Sequence, residues 1–108
     1  MLTASDYSQI FQDVQIRASS QRFLILAKDQ KRDTARLGVI VAKKNVKLAV
    51  QRNRIKRLLR ETFRNERAEL PKIDIIVLAK KGVHLAENSE ILSELDYLWR
   101  KLKRKIQA

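Results

Sequence analysis

The residues of this sequence with the greatest potential for chemistry are cations spaced along one predicted helix, from Val46 to Arg67. At about 100° per residue, Ile55, Leu58, Leu59, Thr62 and Phe63 fall on one side of that helix. The opposite side carries Asn53, Lys56, Arg57, Arg60, Arg64 and Arg67, with Arg52 and Arg54 at the borders and only Glu61 and Glu66 as acids. One face is therefore suited to a protein core and the other to a polyanion.

This concentration of like charge costs stability, because cations four residues apart, such as Arg60 and Arg64, repel each other by a few tenths of a kcal/mol. A nucleic acid would relieve the repulsion and release counterions. The planar fork of arginine suits phosphates and bases, and the Asn53 amide can bond a phosphate, a sugar hydroxyl or a base edge. A solvated basic face is the alternative. The whole-chain balance of 24 basic against 12 acidic residues, a net charge of +12, favours nucleic acid.

Other chemistries find less support in the residues. The chain has no cysteine, which excludes disulfides, thiolate catalysis and cysteine-ligated zinc. Its one histidine, His84, follows a glycine in a predicted loop and is interpreted as a surface residue rather than a general base. Asp29 and Asp33 lie in a predicted turn and do not form a carboxylate pair for two-metal chemistry. We therefore predict no catalytic residue and no metal site in this chain.

The length of 108 residues fits one domain over the whole chain, and a hydrophobic content of 44% is too high for a disordered one. No apolar run approaches the roughly 18–20 residues of a membrane-spanning helix, so no membrane partner is expected. Residues 1–13 lack the apolar core of a secretion signal. These features predict a cytoplasmic location.

Hydrophobic patterns predict the elements that position the cations. Three strands are expected, at Arg22–Ala27, Leu37–Ala42 and Ile73–Ala79, with Gln15–Ser20 as an uncertain fourth. A short helix should follow Thr3 and Ser5 and end near Phe11, and a last amphipathic helix should run from about Glu90 to Lys105. A polar turn at 29–33, Pro71 and a loop from Gly82 separate these elements. The order predicts an α/β (α+β) two-layer sandwich with a small mixed sheet of about four strands and three helices.

The sequence resembles the protein component of bacterial ribonuclease P. The resemblance is carried by Arg36-Leu37-Gly38-Val39, by Lys43-Lys44, and by the stretch from Ala49 to Glu61 followed by Phe63-Arg64. Arg52-Asn53-Arg54 matches the Arg-Asn-Arg motif of that family. Weaker similarities reach both ends of the chain, at Asp6-Tyr7, Ile10-Phe11, Leu70-Pro71, Asp74, Ala79-Lys80-Lys81-Gly82 and Leu98-Trp99.

The resemblance implies a subunit that binds a large catalytic RNA and, with it, removes the 5′ leader from precursor tRNA. The RNA, with Mg²⁺, would perform the hydrolysis, and the protein itself would bind no cofactor. The resemblance also implies a left-handed β-α-β crossover through the basic helix, where general rules favour a right-handed one. The residues that match the family's contacts to the catalytic RNA are Lys43, Lys44, Arg52, Asn53, Arg54, Lys56, Arg57, Arg60 and Arg64.

A cleft between the sheet and the first helix is implied to take the single-stranded leader. Tyr7 and Phe11 match aromatic positions there, and aromatic faces stack on any base. Phe11 could instead belong to the core. Where some members carry a further aromatic, this sequence has Leu26, so we expect the cleft to rely more on cations, namely Lys28, Arg36 and Lys43.

Two hypotheses from other functional classes are also compatible with the sequence. A ribosomal or DNA-binding protein would share the charge, but strands rather than a helix-turn-helix precede the basic helix, so no DNA partner is expected. The chain could also be a nuclease in its own right, which an assay without RNA would test.

Overall fold

The computed structural model describes residues 2–29, 34–70 and 72–107. Asp33, Pro71 and most of the expected turn at 29–33 lie outside them. The order of elements is α1 (Ala4–Gln12), β1 (Ile16–Ser19), β2 (Phe23–Lys28), β3 (Arg36–Ile40), α2 (Ala49–Glu66), β4 (Asp74–Ala79) and α3 (Asn88–Gln107). Short 3-10 turns at Arg67–Glu69 and Val83–Leu85 follow α2 and β4.

The four strands form one mixed sheet in the order β1-β2-β4-β3. β1 with β2 and β2 with β4 are antiparallel, whereas β3 and β4 are parallel. Since α2 connects β3 to β4, the basic helix is the crossover of a β-α-β unit. The predicted three helices and small mixed sheet are therefore confirmed, and the uncertain segment at 15–20 does contain a strand.

Alternation along the strands divides the sheet into two apolar faces. Ile25, Ile75 and Val77 belong to the main core beneath α2 and α3, whereas Leu26 and Ile76 join Leu2 and Ile10 beneath α1. α1 therefore lies on the face opposite α2. It covers only part of that face, because Leu24, Ile40 and Leu78 on the same side remain partly exposed.

Polar contacts fix the ends and crossings of the helices. The Thr3 hydroxyl accepts from the Asp6 backbone N–H at 3.2 Å and the Asp6 carboxylate accepts from the Thr3 N–H at 2.9 Å, which is a capping box at the start of α1. The buried Trp99 donates its indole N–H to the Thr62 hydroxyl at 3.2 Å and has its ring centroid 6.0 Å from that of Phe63. These contacts hold α2 against α3 and set the outward face of α2.

The bounds of two predicted helices are corrected. α2 begins at Ala49 rather than Val46, because the backbone N–H groups of Asn45 and Val46 both donate to the Ala42 carbonyl in a turn. It ends at Glu66, where the 3-10 turn takes over. α3 begins two residues earlier than expected, at Asn88.

Candidate RNA-binding surfaces

α2 presents the two faces that its sequence predicts. Ile55, Leu58, Leu59 and Phe63 are buried in the main core. Asn53, Arg57, Arg60 and Arg64 are exposed on the other side, and Lys56 is half-buried. The apolar stripe therefore fixes the direction in which the cations point.

Most of the predicted RNA contacts have side chains that engage nothing in the protein. Within residues 2–29, 34–70 and 72–107, neither a hydrogen bond nor an ion pair involves the side chains of Lys43, Lys44, Asn53, Lys56, Arg57, Arg60 or Arg64. Lys43 and Lys44 lie exposed in the turn between β3 and α2. Seven of the nine predicted side chains are thus available to a ligand.

The arginines of the Arg-Asn-Arg motif are different, because both are hydrogen-bonded to the protein. Arg52 donates from Nη1 to the carbonyls of Val46 at 3.0 Å and Lys47 at 2.8 Å. Arg54 donates to the Asn88 side-chain oxygen at 2.6 Å and to the carbonyls of His84 at 3.0 Å and Ala86 at 3.3 Å. Between them, Asn53 faces solvent. The motif therefore secures two loops with its arginines and presents its asparagine.

The acids of α2 do little to neutralise the cationic face. Glu66 is turned towards α3, where Lys103 donates to it and also to Glu69 at 2.8 Å. These two carboxylates raise the pKa of Lys103, Glu66 by the larger amount. Only Glu61 remains exposed on the helix as an acid without an ion pair among the described residues.

The two aromatic residues predicted for the leader lie on α1 and are accessible. The Phe11 ring is 46% exposed, which excludes the alternative that it is a core residue. Tyr7 is half-buried and lies across β3 at Gly38. A Cβ atom at position 38 would lie 2.5 Å from the Tyr7 hydroxyl oxygen, so the ring occupies space that only glycine leaves open.

Arg36 is committed to two carboxylates and does not present a free cation to the cleft. It donates to the buried Asp74 through Nε at 2.8 Å and Nη2 at 2.7 Å, and its Nη2 lies 3.2 Å from Asp6 Oδ1. Both carboxylates raise the pKa of Arg36, with Asp74 the larger cause. The Thr3 N–H is the largest cause that lowers the pKa of Asp6 to about 2, with further contributions from the Thr3 hydroxyl and Arg36.

Two other residues considered for the leader cleft are also limited by their surroundings. Lys28 is half-buried and lies 3.5 Å from the Asp13 carboxylate at the end of α1. Leu26 is only 4% exposed, beneath α1 with Ile10 and Ile76, so its position is closed to a base. Of the cations expected to help the cleft, Lys43 alone is exposed without a partner in the described part of the chain.

A groove of about 470 Å³ connects the two predicted RNA surfaces, and it was not among the sequence predictions. It runs beside β3, the edge strand of the sheet, from Tyr7 to Arg60 and Arg67. Tyr7 and Arg60 are 53 positions apart in the sequence and meet here only because α1 and α2 flank the same edge strand. The groove depends on the place of β3 in the strand order, which hydrophobic periodicity does not reveal.

The remaining candidate chemistry is modest. His84 lies in the 3-10 turn after β4, half-buried rather than on the open surface. Across the residues that the structure describes, no three His, Cys, Asp or Glu side chains group as metal ligands. In the same residues, no helix is long and apolar enough to cross a membrane.

Comparisons with known proteins agree with this geometry. The family model described as Ribonuclease P matches residues 1–103. The ribonuclease P protein component of Marinobacter nauticus is 48% identical over 105 residues, which are 97% of this chain and 79% of that protein. The same protein component of Pseudomonas aeruginosa is 43% identical over 104 residues, which are 96% of this chain and 77% of that protein.

Solved structures of similar fold come from more distant bacteria. A Staphylococcus aureus RNase P protein mutant with defective mRNA degradation activity superposes with a TM-score of 0.87 at 28% identity, over 95% of this chain and 86% of that one. The RNase P protein from Thermotoga maritima gives a TM-score of 0.74 at 29% identity, over 88% of this chain and 90% of that one. With its basic crossover helix and its match over residues 1–103, this chain belongs to the ribonuclease P protein family.

Proposed function

We propose that this protein binds the ribonuclease P RNA with the cationic face of α2 and holds the 5′ leader of precursor tRNA against α1. As a family member, it is the protein subunit of an RNA-based endoribonuclease that matures the 5′ end of tRNA, and the catalytic centre lies in the RNA. We assign hydrolysis, and the Mg²⁺ that it needs, to the RNA. We assign to this chain the binding of that RNA and of the leader. We place the activity in the cytoplasm, where bacterial tRNA is made.

The proposal rests on a set of cations on one surface whose side chains make neither hydrogen bonds nor ion pairs within the described residues. Lys56, Arg57, Arg60 and Arg64 project from a helix whose opposite face is buried, and no intramolecular carboxylate in the described residues neutralises them. Phosphates brought to this face would replace the repulsion between these side chains with attraction and release counterions. A structured RNA supplies many phosphates over the length of such a helix.

The proposed leader contact depends more on base stacking than on positive charge. Tyr7 and Phe11 offer partly exposed rings on the same helix, and base stacking on such rings tolerates any sequence. Arg36 is occupied by Asp6 and Asp74, so we withdraw it as a direct leader contact. Its role is to hold α1 against the sheet, while Lys43, in the turn after β3, supplies a cation.

Reconstitution tests the proposal most directly. The purified protein is added to the ribonuclease P RNA of its organism at low Mg²⁺, and removal of the leader from precursor tRNA is followed by gel electrophoresis. We expect leader removal with protein and RNA together, and none with protein alone. No stimulation of the RNA would contradict the proposal, and cleavage by the protein alone would make it a nuclease.

Copurifying nucleic acid separates this function from a ribosomal or DNA-binding role. We expect the tagged protein to retain one defined RNA of several hundred nucleotides. Ribosomes or DNA recovered instead would favour the alternative.

A further inference from the structure

Two leucines are exposed to solvent, one at the N-cap of α2 and the other in the 3-10 turn after β4. Leu48 is 64% exposed and Leu85 is 80% exposed. Single exposed apolar residues are common, but these two line the same groove, which has a volume of about 280 Å³. Residues 44–51 form one wall of the groove and residues 81–85 the other.

The two arginines of the Arg-Asn-Arg motif hold these walls in place. Arg52 binds the carbonyls of Val46 and Lys47, immediately before Leu48. Arg54 binds the carbonyls of His84 and Ala86, which flank Leu85. The groove is therefore preformed, and a ligand would not have to bear the cost of ordering its walls.

The chemistry of the lining is cationic and lacks acids. Three lysines, Lys44, Lys47 and Lys81, line the groove, and none of their ammonium groups has a partner in the part of the chain that the structure describes. No Asp or Glu is among its lining residues. Gln51 Oε1 and His84 Nδ1 are buried polar atoms of lining residues without a hydrogen-bond partner. The combination suits a flat, partly apolar ligand that carries negative charge.

We propose that this groove holds one unpaired nucleotide of the ribonuclease P RNA. The base lies between Leu48 and Leu85, and the lysines bind the phosphates on either side of it. Gln51 also lines a neighbouring depression with Asn53, Arg54 and Arg57, so RNA on the α2 face continues into the groove. The inference rests on the proposed function, because the nucleotide belongs to the RNA that α2 binds.

Affinity for the RNA at several salt concentrations tests the roles of the two kinds of lining residue. Leu85→Ala should weaken binding by about tenfold, from the loss of apolar burial, with an unchanged slope of log affinity against log salt. Lys47→Ala should reduce that slope by about 1, because one phosphate contact is lost. Leu92→Ala, an exposed leucine on α3 outside the groove, is the matched control and should bind as the unaltered protein does.

Crosslinking then locates the nucleotide. Because the chain has no cysteine, Leu85→Cys introduces a single site for a photoreactive label. We expect one discrete crosslink in the ribonuclease P RNA, and none from Leu92→Cys. Normal RNA affinity of Leu85→Ala, or scattered crosslinks from Leu85→Cys, would overturn the nucleotide pocket. If Arg60→Ala still weakened RNA binding in that case, the proposed function would stand without the pocket. If the unaltered protein did not bind this RNA, both the pocket and the proposed function would be wrong.

Discussion

The guanidinium groups of Arg54 and Arg60 lie six residues apart on one helix but have different surroundings. Arg54 makes three hydrogen bonds to the segment from His84 to Asn88, whereas Arg60 is exposed beside the groove at β3. Hydrogen bonds from a charged group that is partly shielded from water stabilise a fold, while a solvated cation contributes little. The fold therefore uses arginine for its own contacts at one position and leaves it available to a ligand at the other.

This difference predicts that alanine substitutions at Arg54 and at the exposed arginines affect different properties of the protein. Arg54→Ala should lower the free energy of unfolding by about 1–3 kcal/mol, because three carbonyl-type acceptors lose their donor. Arg60→Ala and Arg64→Ala should leave the melting temperature unchanged and weaken RNA binding by about two- to fivefold each. Thermal melting and filter binding on the same preparations measure both effects. A large loss of melting temperature in Arg60→Ala would contradict the assignment.

Asp6 predicts a pH dependence of stability. Its pKa is about 2 in the folded protein, below the ordinary 3.8, chiefly because the Thr3 N–H donates to the carboxylate. As the pH falls, the unfolded chain takes up the proton first. The stabilisation from Asp6 is therefore complete above about pH 4 and is lost as the pH falls towards about 2.

Asp6→Asn removes this titration, and the stability difference between unaltered protein and variant should narrow as the pH falls from about 4 to about 2. Chemical denaturation at a series of pH values measures it. Asp96→Asn is the control, since Asp96 is exposed and its contact with Arg100 lies on the surface of α3. An Asp6→Asn difference that stays constant over this range would show that the charge on Asp6 does not stabilise the fold.

At the scale of elements, the charge of the α2 face depends on its neighbour as well as on its own residues. Glu66 pairs with Lys103 of α3, so one of the two acids in the helix does not offset the exposed arginines. If this face binds RNA as proposed, phosphates would be its main contacts. Phosphate contacts are the part of binding that salt weakens most.

We therefore predict strong salt dependence of RNA affinity. If six cations of the α2 region each meet one phosphate, log affinity should fall against log salt with a slope of about −4 to −5. The double variant Arg60→Ala/Arg64→Ala should reduce the steepness by about 1–2. Titrations with labelled RNA at five or more salt concentrations give the slope. A nearly flat plot for the unaltered protein would exclude phosphate binding as the main contact.

The elements themselves were accessible from sequence because their signals are local. Apolar runs such as Ile75 to Leu78 and the three-four spacing of Leu95, Leu98 and Leu102 led to elements that the structure confirms. The start of α2 was misplaced, since the turn at Ala42 uses backbone hydrogen bonds that no side-chain pattern records. Strand order also escaped prediction, and with it the groove beside β3.

For the candidate site, the sequence predicts which cations are exposed but not the contacts that they make within the protein. The exposed positions of Arg57, Arg60 and Arg64 follow from helical periodicity. The partners of Arg36 and Arg54 do not, because the residues that they bind lie about 30 to 38 positions away in the sequence, before or after them. Sequence alone therefore suggests candidate cations for the site but does not show which of them form contacts within the fold.

At the scale of the whole molecule, the surface proposed for the catalytic RNA lies on one face of the sheet and the proposed leader cleft on the other. α2 lies on the main core, whereas α1 with Tyr7 and Phe11 lies on the opposite face. The two sides meet at the edge strand β3, beside the groove lined by Tyr7 and Arg60. This arrangement predicts that the leader contact can be weakened without loss of binding to the catalytic RNA.

Tyr7→Ala tests that separation in the reconstituted complex. If Tyr7 stacks on a leader base, the substitution should cost about 1–3 kcal/mol of affinity for precursor tRNA and leave mature tRNA, which has no leader, unaffected. Binding of the protein to the catalytic RNA alone should not change, because that contact lies on α2. Tyr97→Ala, an exposed tyrosine on α3, is the matched control and should leave the difference between precursor and mature tRNA intact.

Gly38→Ala should reproduce the effect while the tyrosine is still present. The added Cβ would lie 2.5 Å from the Tyr7 hydroxyl oxygen and 2.8 Å from Leu2 Cδ1, so the ring has to move off the strand. Shortening the leader to one nucleotide should make both variants bind as the unaltered protein does, since no leader base then reaches the ring. If both variants weakened the binding of precursor and mature tRNA equally, Tyr7 would be a structural residue of the α1 face. The leader would then have to bind elsewhere.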